Sequence, residues 1–282
     1  MARRFVLSSV LSLGVLVLGG CAWTPPEESA SPPAREEAPP AEPPPVLASR
    51  TAPIVNHGSR GRMRIALTFD ACTTHKNEYD ERVIRTLLDT ATPATLFIGG
   101  GWAEANAERL RELARHPEFE FGNHTFTHVH MPRVKDDARM LEELRRTQRA
   151  VYDLTGHIPR YFRPPFGEVD NRVAWIASQA DLVTLNFDLP SGDPDATTTP
   201  RRVVDWVLKK AAPGGIVVMH MNHKNFPTAQ ALPEIIQGLR KRGFEFVTVA
   251  TLLGDATPPL CTVPSRAAPP ADAPLLVAEA LP

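Results

Sequence analysis

The clearest signal along the chain is an apolar period that switches between two and about 3.6, over and over, from residue 62 to residue 249. Met63, Ile65, Leu67 and Phe69 fall on one side of an alternating run, which predicts a strand ending on a carboxylate, Asp70. Val83, Ile84, Leu87 and Leu88 then share one helical face, and Pro93 separates that helix from a second predicted strand over 94–98. The spacing next predicts a helix over 102–114, a strand over 119–121, a long helix from about 136 to 154 stopped by Gly156, and a short strand at 161–162. A helix over 169–179, a strand over 182–187, a helix over 201–211, a strand over 216–219, a helix over 228–241 and a strand over 244–249 complete the series. A βα unit repeated about seven times argues for a parallel sheet covered by helices.

The polar residues indicate how such a sheet is arranged. Asp70, His124, Arg163, Asp188 and His220 all fall at or just beyond the C-terminal ends of different predicted strands. In a barrel those ends carry the active-site loops, whereas an open sheet gathers its ligand at a single switch point. The expected fold class is therefore α/β, an irregular (β/α) barrel of about seven parallel strands.

The two ends of the chain do not follow this pattern. Ten of the 29 prolines lie between Thr24 and Arg60 and seven between Ala256 and Pro282, leaving twelve for the stretch between. Residues 24–60 hold almost no large apolar side chain, so they read as an extended tether, and the tail from Ala256 is similar. Before the tether, Arg3 and Arg4 precede an apolar run, Phe5 to Leu18, that is short for a membrane span and reads as an export signal. It ends on Leu18, Gly19, Gly20 and Cys21, which resembles the bacterial lipobox, whose cysteine is lipidated. Ala22, rather than Asp, follows it, the pattern of cargo sent to the outer membrane in a Gram-negative cell. The expected organisation is a signal over 1–20, a tether over 21–60 held to the membrane through a lipid on Cys21, a folded domain over 61–255 and a tail over 256–282. The 31 Lys+Arg balance 32 Asp+Glu, so no bulk field favours a nucleic-acid partner. Oligomeric state leaves no mark on the sequence.

Three segments carry the chemistry. In the stretch Gly122 to His128, two imidazoles four residues apart, His124 and His128, are spaced to converge on one metal ion. Taken alone, such a pair more often lines a surface. Arg163 is followed by Pro164, Pro165, Phe166 and Gly167; proline removes donors and fixes the chain, so the Phe166 N–H can be held rigidly towards a cavity. The apolar run Ile216 to Met219 delivers His220 at its end, a place for a general acid and equally for a core-edge histidine. Of the three cysteines, lipidation of Cys21 would leave Cys72 and Cys261 to form a disulfide or to stay separate.

Together these pieces resemble the polysaccharide deacetylases, the NodB-homology group that forms family 4 of the carbohydrate esterases. Five segments match in order: Thr68-Phe69-Asp70, His124 to His128, Arg163 to Gly167, a degenerate Asp188 to Asp193, and Val218-Met219-His220. The resemblance covers residues 62 to 254, essentially the whole predicted domain. It implies Asp70 as general base, His124 and His128 as metal ligands, and Arg163 as the residue that orients the base. It also implies the Phe166 N–H as oxyanion donor, His220 as general acid, and Asp188 or Asp193 as the acidic residue that tunes it. The implied reaction is metal-dependent removal of N-acetyl groups from an envelope glycan, peptidoglycan or another N-acetylhexosamine polymer. An O-acetyl esterase and a non-catalytic glycan-binding lipoprotein are the alternatives.

The chain departs from the family pattern at two points. The second carboxylate that usually closes the first strand, the third metal ligand, is replaced by Ala71. His75 or Cys72 is the expected substitute, with His130 or Asp188 as further candidates, and thiolate with imidazole suits a divalent ion of the zinc type. A Cys72 held in a disulfide could not serve, because a metal requires the thiolate. The fourth segment also lacks the Trp that often follows its second Asp, which puts the role of Asp193 in more doubt than that of Asp70.

Overall fold

The computed structural model describes residues 52–73 and 77–254. In chain order the elements are β1 (Ile54–Val55), β2 (Arg64–Ala71), α1 (Glu81–Asp89), β3 (Ala94–Ile98), α2 (Gly100–Ala105), α3 (Ala107–Leu113) and β4 (Phe119–Asn123). They continue with α4 (Asp137–Thr155), β5 (Tyr161–Phe162), α5 (Asn171–Ser178), β6 (Val183–Leu185), β7 (Leu189–Pro190) and α6 (Pro200–Lys210). The last four are β8 (Gly215–His220), α7 (Thr228–Lys241), β9 (Glu245–Phe246) and α8 (Val249–Leu253).

Every strand pairing is parallel, in the order β1-β6-β5-β4-β3-β2-β8-β7, with β9 joined to the start of β2. The sheet is rolled, and one short connection demonstrates it. β6 and β7 lie near opposite ends of the strand order, yet residues 186–188 alone join them. Four extended residue steps reach at most about 14 Å, whereas six strand spacings laid flat would need about 29 Å. The roll does not close, since no ladder joins β1 to β7 among the described residues.

The period-two pattern in β2 has a structural cause that goes beyond an inside and an outside. Ile65, Leu67, Phe69 and Ala71 pack into the layer between sheet and helices, with Val83 and Leu87 of α1 and Leu232 and Ile236 of α7. Ala66, Thr68 and Asp70 alternate with them and face the other way, into the interior of the roll, where Ala66 packs with Phe97, Tyr161 and Ile216. Small and polar residues on this strand therefore mark the barrel interior, and both faces are buried.

Most predicted elements form where the pattern places them, and the exceptions have local reasons. The helix expected over 102–114 breaks at Asn106, whose backbone leaves the helical region (φ −121°, ψ 33°) and whose side chain donates to the Trp102 and Asn77 carbonyls. The strand expected over 182–187 ends at Leu185, and the chain then crosses to the other flank as β7, where Pro190 is tolerated at a sheet edge. The strand expected over 244–249 gives way to α8, started by Thr248, whose hydroxyl accepts from the Thr251 N–H at 3.4 Å. The folded domain also begins before residue 61. Ile54 and Val55 pair with Thr184 and Leu185 of β6, the Gly58 N–H donates to the Gly214 carbonyl at 2.8 Å, and Arg60 reaches Asp188 and the Pro213 carbonyl. Cys21, Cys261, the predicted signal and the greater part of the tether and tail lie outside the described residues.

Candidate active site

The side chains singled out in the sequence gather at the C-terminal ends of β2, β4, β5 and β8. Asp70 and His220 are register partners on adjacent strands, so their side chains emerge on the same face of the sheet. Arg163, the first residue after β5, is wholly buried. Its Nη1 donates to Asp70 Oδ1 at 2.8 Å and to Thr68 Oγ1 at 2.8 Å, and its guanidinium carbon lies 4.1 Å from the Phe97 ring centre. Arg163 Nε and Nη2 are buried with no hydrogen-bond partner among the described residues. Asp70 is thus the carboxylate that compensates this guanidinium, and the pair fixes where Oδ2 points.

His124 Nδ1 lies 2.8 Å from the Arg163 carbonyl. A carbonyl only accepts, so Nδ1 carries the hydrogen and Nε2 keeps its lone pair, 3.7 Å from Asp70 Oδ2. The ligand atoms of His124, His128 and Cys72 all lie within 4.8 Å of one another. A tetrahedral zinc ion bound by two imidazoles and a thiolate spaces its ligand atoms by about 3.3 to 3.6 Å. The three donors could close on such an ion with a contraction of their spacing, and two nitrogens with a sulfur suit a divalent transition-metal ion. Of the described substitutes for the missing carboxylate, Cys72 is the one brought to the imidazoles. Asn222 Nδ2 holds the same segment, donating to the Cys72 carbonyl at 2.7 Å and lying 3.4 Å from Sγ. His75 lies outside the described residues. His130 turns away, its ring stacked 3.7 Å above Phe166 and its Nδ1 3.1 Å from Glu168 Oε2. Ala71 is buried in the layer beneath the helices.

The two acidic candidates for tuning His220 separate. Asp193 is buried and binds His220 twice, Oδ2 accepting from the backbone N–H at 2.8 Å and Oδ1 lying 3.0 Å from Nδ1. The hydroxyls of Ser191 and Thr228 donate to its two oxygens at 2.8 and 2.6 Å. Asp188 is not beside His220. Its Oδ1 accepts from the Ile216 N–H at 2.7 Å, near the opposite end of β8, and its Oδ2 binds Arg60 at 2.7 Å. The reason is the crossing from β6 to β7, which starts β7 low against β8 and delivers only its far end to the site. Phe166 adopts a left-handed backbone (φ 62°, ψ 4°), strained for an aromatic residue, with its ring more than half exposed and edge-on to His128 at 4.7 Å.

Two residues that build the site carry no motif. Asn123 Oδ1 accepts from the Thr125 N–H at 3.0 Å while its Nδ2 donates to the Leu144 carbonyl at 2.8 Å. Glu143 of α4, a buried carboxylate, accepts from the Phe126 N–H at 2.9 Å, the Thr127 N–H at 2.8 Å and the Thr127 hydroxyl at 2.8 Å. Between them they latch the loop joining His124 to His128, which includes left-handed residues at Thr125 and His128. The signal that could have found Glu143 is a glutamate on the apolar face of an amphipathic helix, next to Leu144 and one turn after Met140.

The electrostatics divide the ionisable groups by role. Burial alone would raise the Asp70 carboxyl, but Arg163, His124 and His220 outweigh it and hold Asp70 below the usual carboxylate range. Burial alone would lower His220, but Asp193 more than offsets it, and His220 stays protonated above the usual imidazole range. His124 is pushed down by burial against the pull of Asp70, and His128 is pushed down to about 3 by burial and then by His124. Asp70 is therefore held ionised and His220 protonated, and the two remaining imidazoles keep neutral lone pairs.

Comparison with known proteins bears on the family of the chain. A family model described as polysaccharide deacetylase matches residues 57–185. The peptidoglycan N-acetylglucosamine deacetylase PgdA of Listeria monocytogenes is 31% identical over 193 residues, covering 68% of this chain and 39% of that protein. The chain spans about half or less of the length of the first curated relatives it matches, 54% and 39%. Among solved structures, a CE4 family pseudoenzyme from Bacillus anthracis superposes with a TM-score of 0.66 at 26% identity, covering 72% of this chain and 69% of that one. The peptidoglycan deacetylase PdaC of Bacillus subtilis gives 0.61 at 25% identity, covering 70% and 93%. Sequence match and rolled parallel sheet agree, and the chain belongs to the polysaccharide deacetylase family.

Proposed function

We propose that this protein is a metal-dependent deacetylase that hydrolyses N-acetyl groups of a cell-envelope glycan, with peptidoglycan N-acetylglucosamine as the leading substrate. The observation that carries the reading is the pairing of Asp70 with Arg163 and of His220 with Asp193, side by side on β2 and β8 and next to the Cys72, His124 and His128 donors. Those three residues would hold the ion, with Cys72 in the place of the carboxylate that Ala71 lacks. A divalent ion bound there supplies Lewis-acid polarisation of the acetyl carbonyl and a more acidic water.

The residues of the chain do the rest. Asp70 Oδ2, turned inward because Arg163 holds Oδ1, takes a proton from the attacking water. The Phe166 N–H, presented by a rigid Pro-Pro turn, donates to the oxyanion as the carbonyl becomes tetrahedral. His220 gives its Nε2 proton to the departing sugar nitrogen as the C–N bond breaks, releasing acetate and a free amine. Asp193 keeps the imidazolium charged and oriented through Nδ1.

The deciding experiment is acetate release from peptidoglycan and from N-acetylglucosamine oligomers by the full chain, stripped of metal and reconstituted with Zn²⁺, beside Asp70→Asn. Release that needs both the ion and Asp70 is the expected result. Ala71 and the likeness to a pseudoenzyme favour a second reading, a glycan-binding protein without turnover. Binding without release would establish that second reading, and release from O-acetylated glycans alone would make the protein an esterase. We also propose that Cys21 carries a lipid that ties the protein to the envelope, in the outer membrane of a Gram-negative cell. Fatty-acid labelling abolished by Cys21→Ser would support the anchor, and unchanged labelling would refute it.

A further inference from the structure

A cavity of about 660 Å³ opens beside the loop that carries His128, lined by His128 and His130, by the apolar Val129 and Val134, and by Arg133, Lys135, Asp136 and Arg139. The last of these residues lead into α4, which Asp136 caps. The neighbouring carboxylates are already engaged. Glu168 lies 3.1 Å from His130 Nδ1, Asp137 is paired with Arg172, and Asp136 Oδ1 accepts from the Ala138 N–H at 2.9 Å to cap α4. Arg133, Lys135 and Arg139 are exposed and make no ion pair among the described residues. Three cations against one capping carboxylate is an unneutralised positive wall, in a molecule whose formal net charge is −1.

The volume is in the range of small-molecule sites and can admit a sugar ring with its substituents. Because His128 belongs both to this cavity and to the candidate metal centre, whatever fills the cavity is directly next to the reacting acetyl group. A neutral glycan could take hydrogen bonds from Arg133, Lys135 and Arg139 through its hydroxyls but would gain no charge pairing from them. A carboxylate would gain charge-assisted hydrogen bonds, bidentate where it meets Arg133 or Arg139.

We propose that this cavity is a subsite for a carboxylate-bearing sugar adjacent to the N-acetylhexosamine that is deacetylated, so that the protein selects acidic glycans over neutral ones. The inference rests on the deacetylase reading and deepens it.

The test compares kcat/KM for acetate release from three substrates of matched length: a neutral N-acetylglucosamine oligomer, a peptidoglycan oligomer bearing only lactyl ether carboxylates, and the same oligomer with its peptides attached. The wild-type protein is expected to favour the charged substrates. In Arg133→Gln/Lys135→Gln/Arg139→Gln the ratio of charged to neutral kcat/KM is expected to fall about tenfold, the sum of three exposed contacts of several tenths of a kcal/mol each. The loss is expected in KM rather than kcat. For the wild type, raising salt from about 0.1 M to about 1 M should shrink the same ratio, because the screening length falls from about 10 Å to about 3 Å. The lactyl and peptide arms identify which carboxylate is read. A ratio unchanged by both the triple variant and salt would overturn the subsite while leaving the deacetylase intact. No release from any of the three substrates would overturn the deacetylase reading, and the subsite with it.

Discussion

Asp70 and His220 sit opposite each other on neighbouring strands, yet their surroundings move them in contrary directions, and the pH profile should report both. In the proposed mechanism activity requires Asp70 ionised, and its carboxyl is held low, so it limits the rate only in acid. It also requires His220 protonated, which the raised imidazole allows up to a pH above the ordinary histidine range and no further. Asp193→Asn removes the partner that offsets burial, so the alkaline limb of kcat/KM is expected to move to lower pH while the acid limb stays. An unmoved alkaline limb would separate Asp193 from the proton donor. Cys72 gives a second test. Cys72→Ala should weaken Zn²⁺ binding by at least about tenfold, measured by competition with a chelator, and a cobalt-loaded wild-type protein should show a thiolate charge-transfer band that the variant lacks. Retained affinity and an unchanged spectrum would remove Cys72 from the ligand set. Asp70, His124, His128, Arg163 and His220 were legible in the sequence because each falls in a short segment of fixed spacing. Asp188 and Asp193 were not separable there, because what divides them is where a three-residue crossing enters the sheet.

At the level of elements, α4 joins scaffold to site. Its Met140, Leu144 and Val151 are buried in the core, whereas Glu143, on the same side, holds the loop between the two imidazoles. Glu143→Gln keeps the size but replaces one accepting oxygen with a donor that faces N–H groups. It is expected to lower metal affinity by about tenfold while the far-ultraviolet circular dichroism stays native, and unchanged affinity would show that the loop holds itself. Gly214 is a second local constraint. Its φ of +72° favours glycine, and a Cβ there would lie 2.5 Å from the Ser59 carbonyl oxygen. Gly214→Ala should cost about 2 to 4 kcal/mol in urea unfolding. Periodicity located the long helices and β2 to β4 well, since each carries at least one full turn or alternation of apolar residues. It failed for β1, β7 and α8, which are two to five residues long and owe their existence to what they pair with or pack upon.

For the whole molecule, the start of the domain matters. A protein beginning at residue 61 lacks β1 and the Arg60 bridge to Asp188 and Pro213, whereas one beginning at residue 52 keeps both. The shorter form should melt several degrees lower, at about 2 to 4 °C per kcal/mol for a domain of this size. Equal melting temperatures would show that the pairing of Ile54 and Val55 adds nothing. Composition hid this boundary, because proline density marks where the chain resists burial and not where a strand can still reach the sheet. The order of the strands has a consequence in time as well. β2 forms early in the chain but lies between β3 and β8, and its pairing with β8 spans about 150 residues, Ile65 with Gly215 through Asp70 with His220. Until β8 is available, the central strand keeps an open apolar edge, and the base has no acid beside it. Closing so long a loop makes folding slow and all-or-none in character. Fragments ending before residue 215 would then expose a sticky β edge, and acetate release would report that the pairing of β2 with β8 is complete rather than the presence of any local structure.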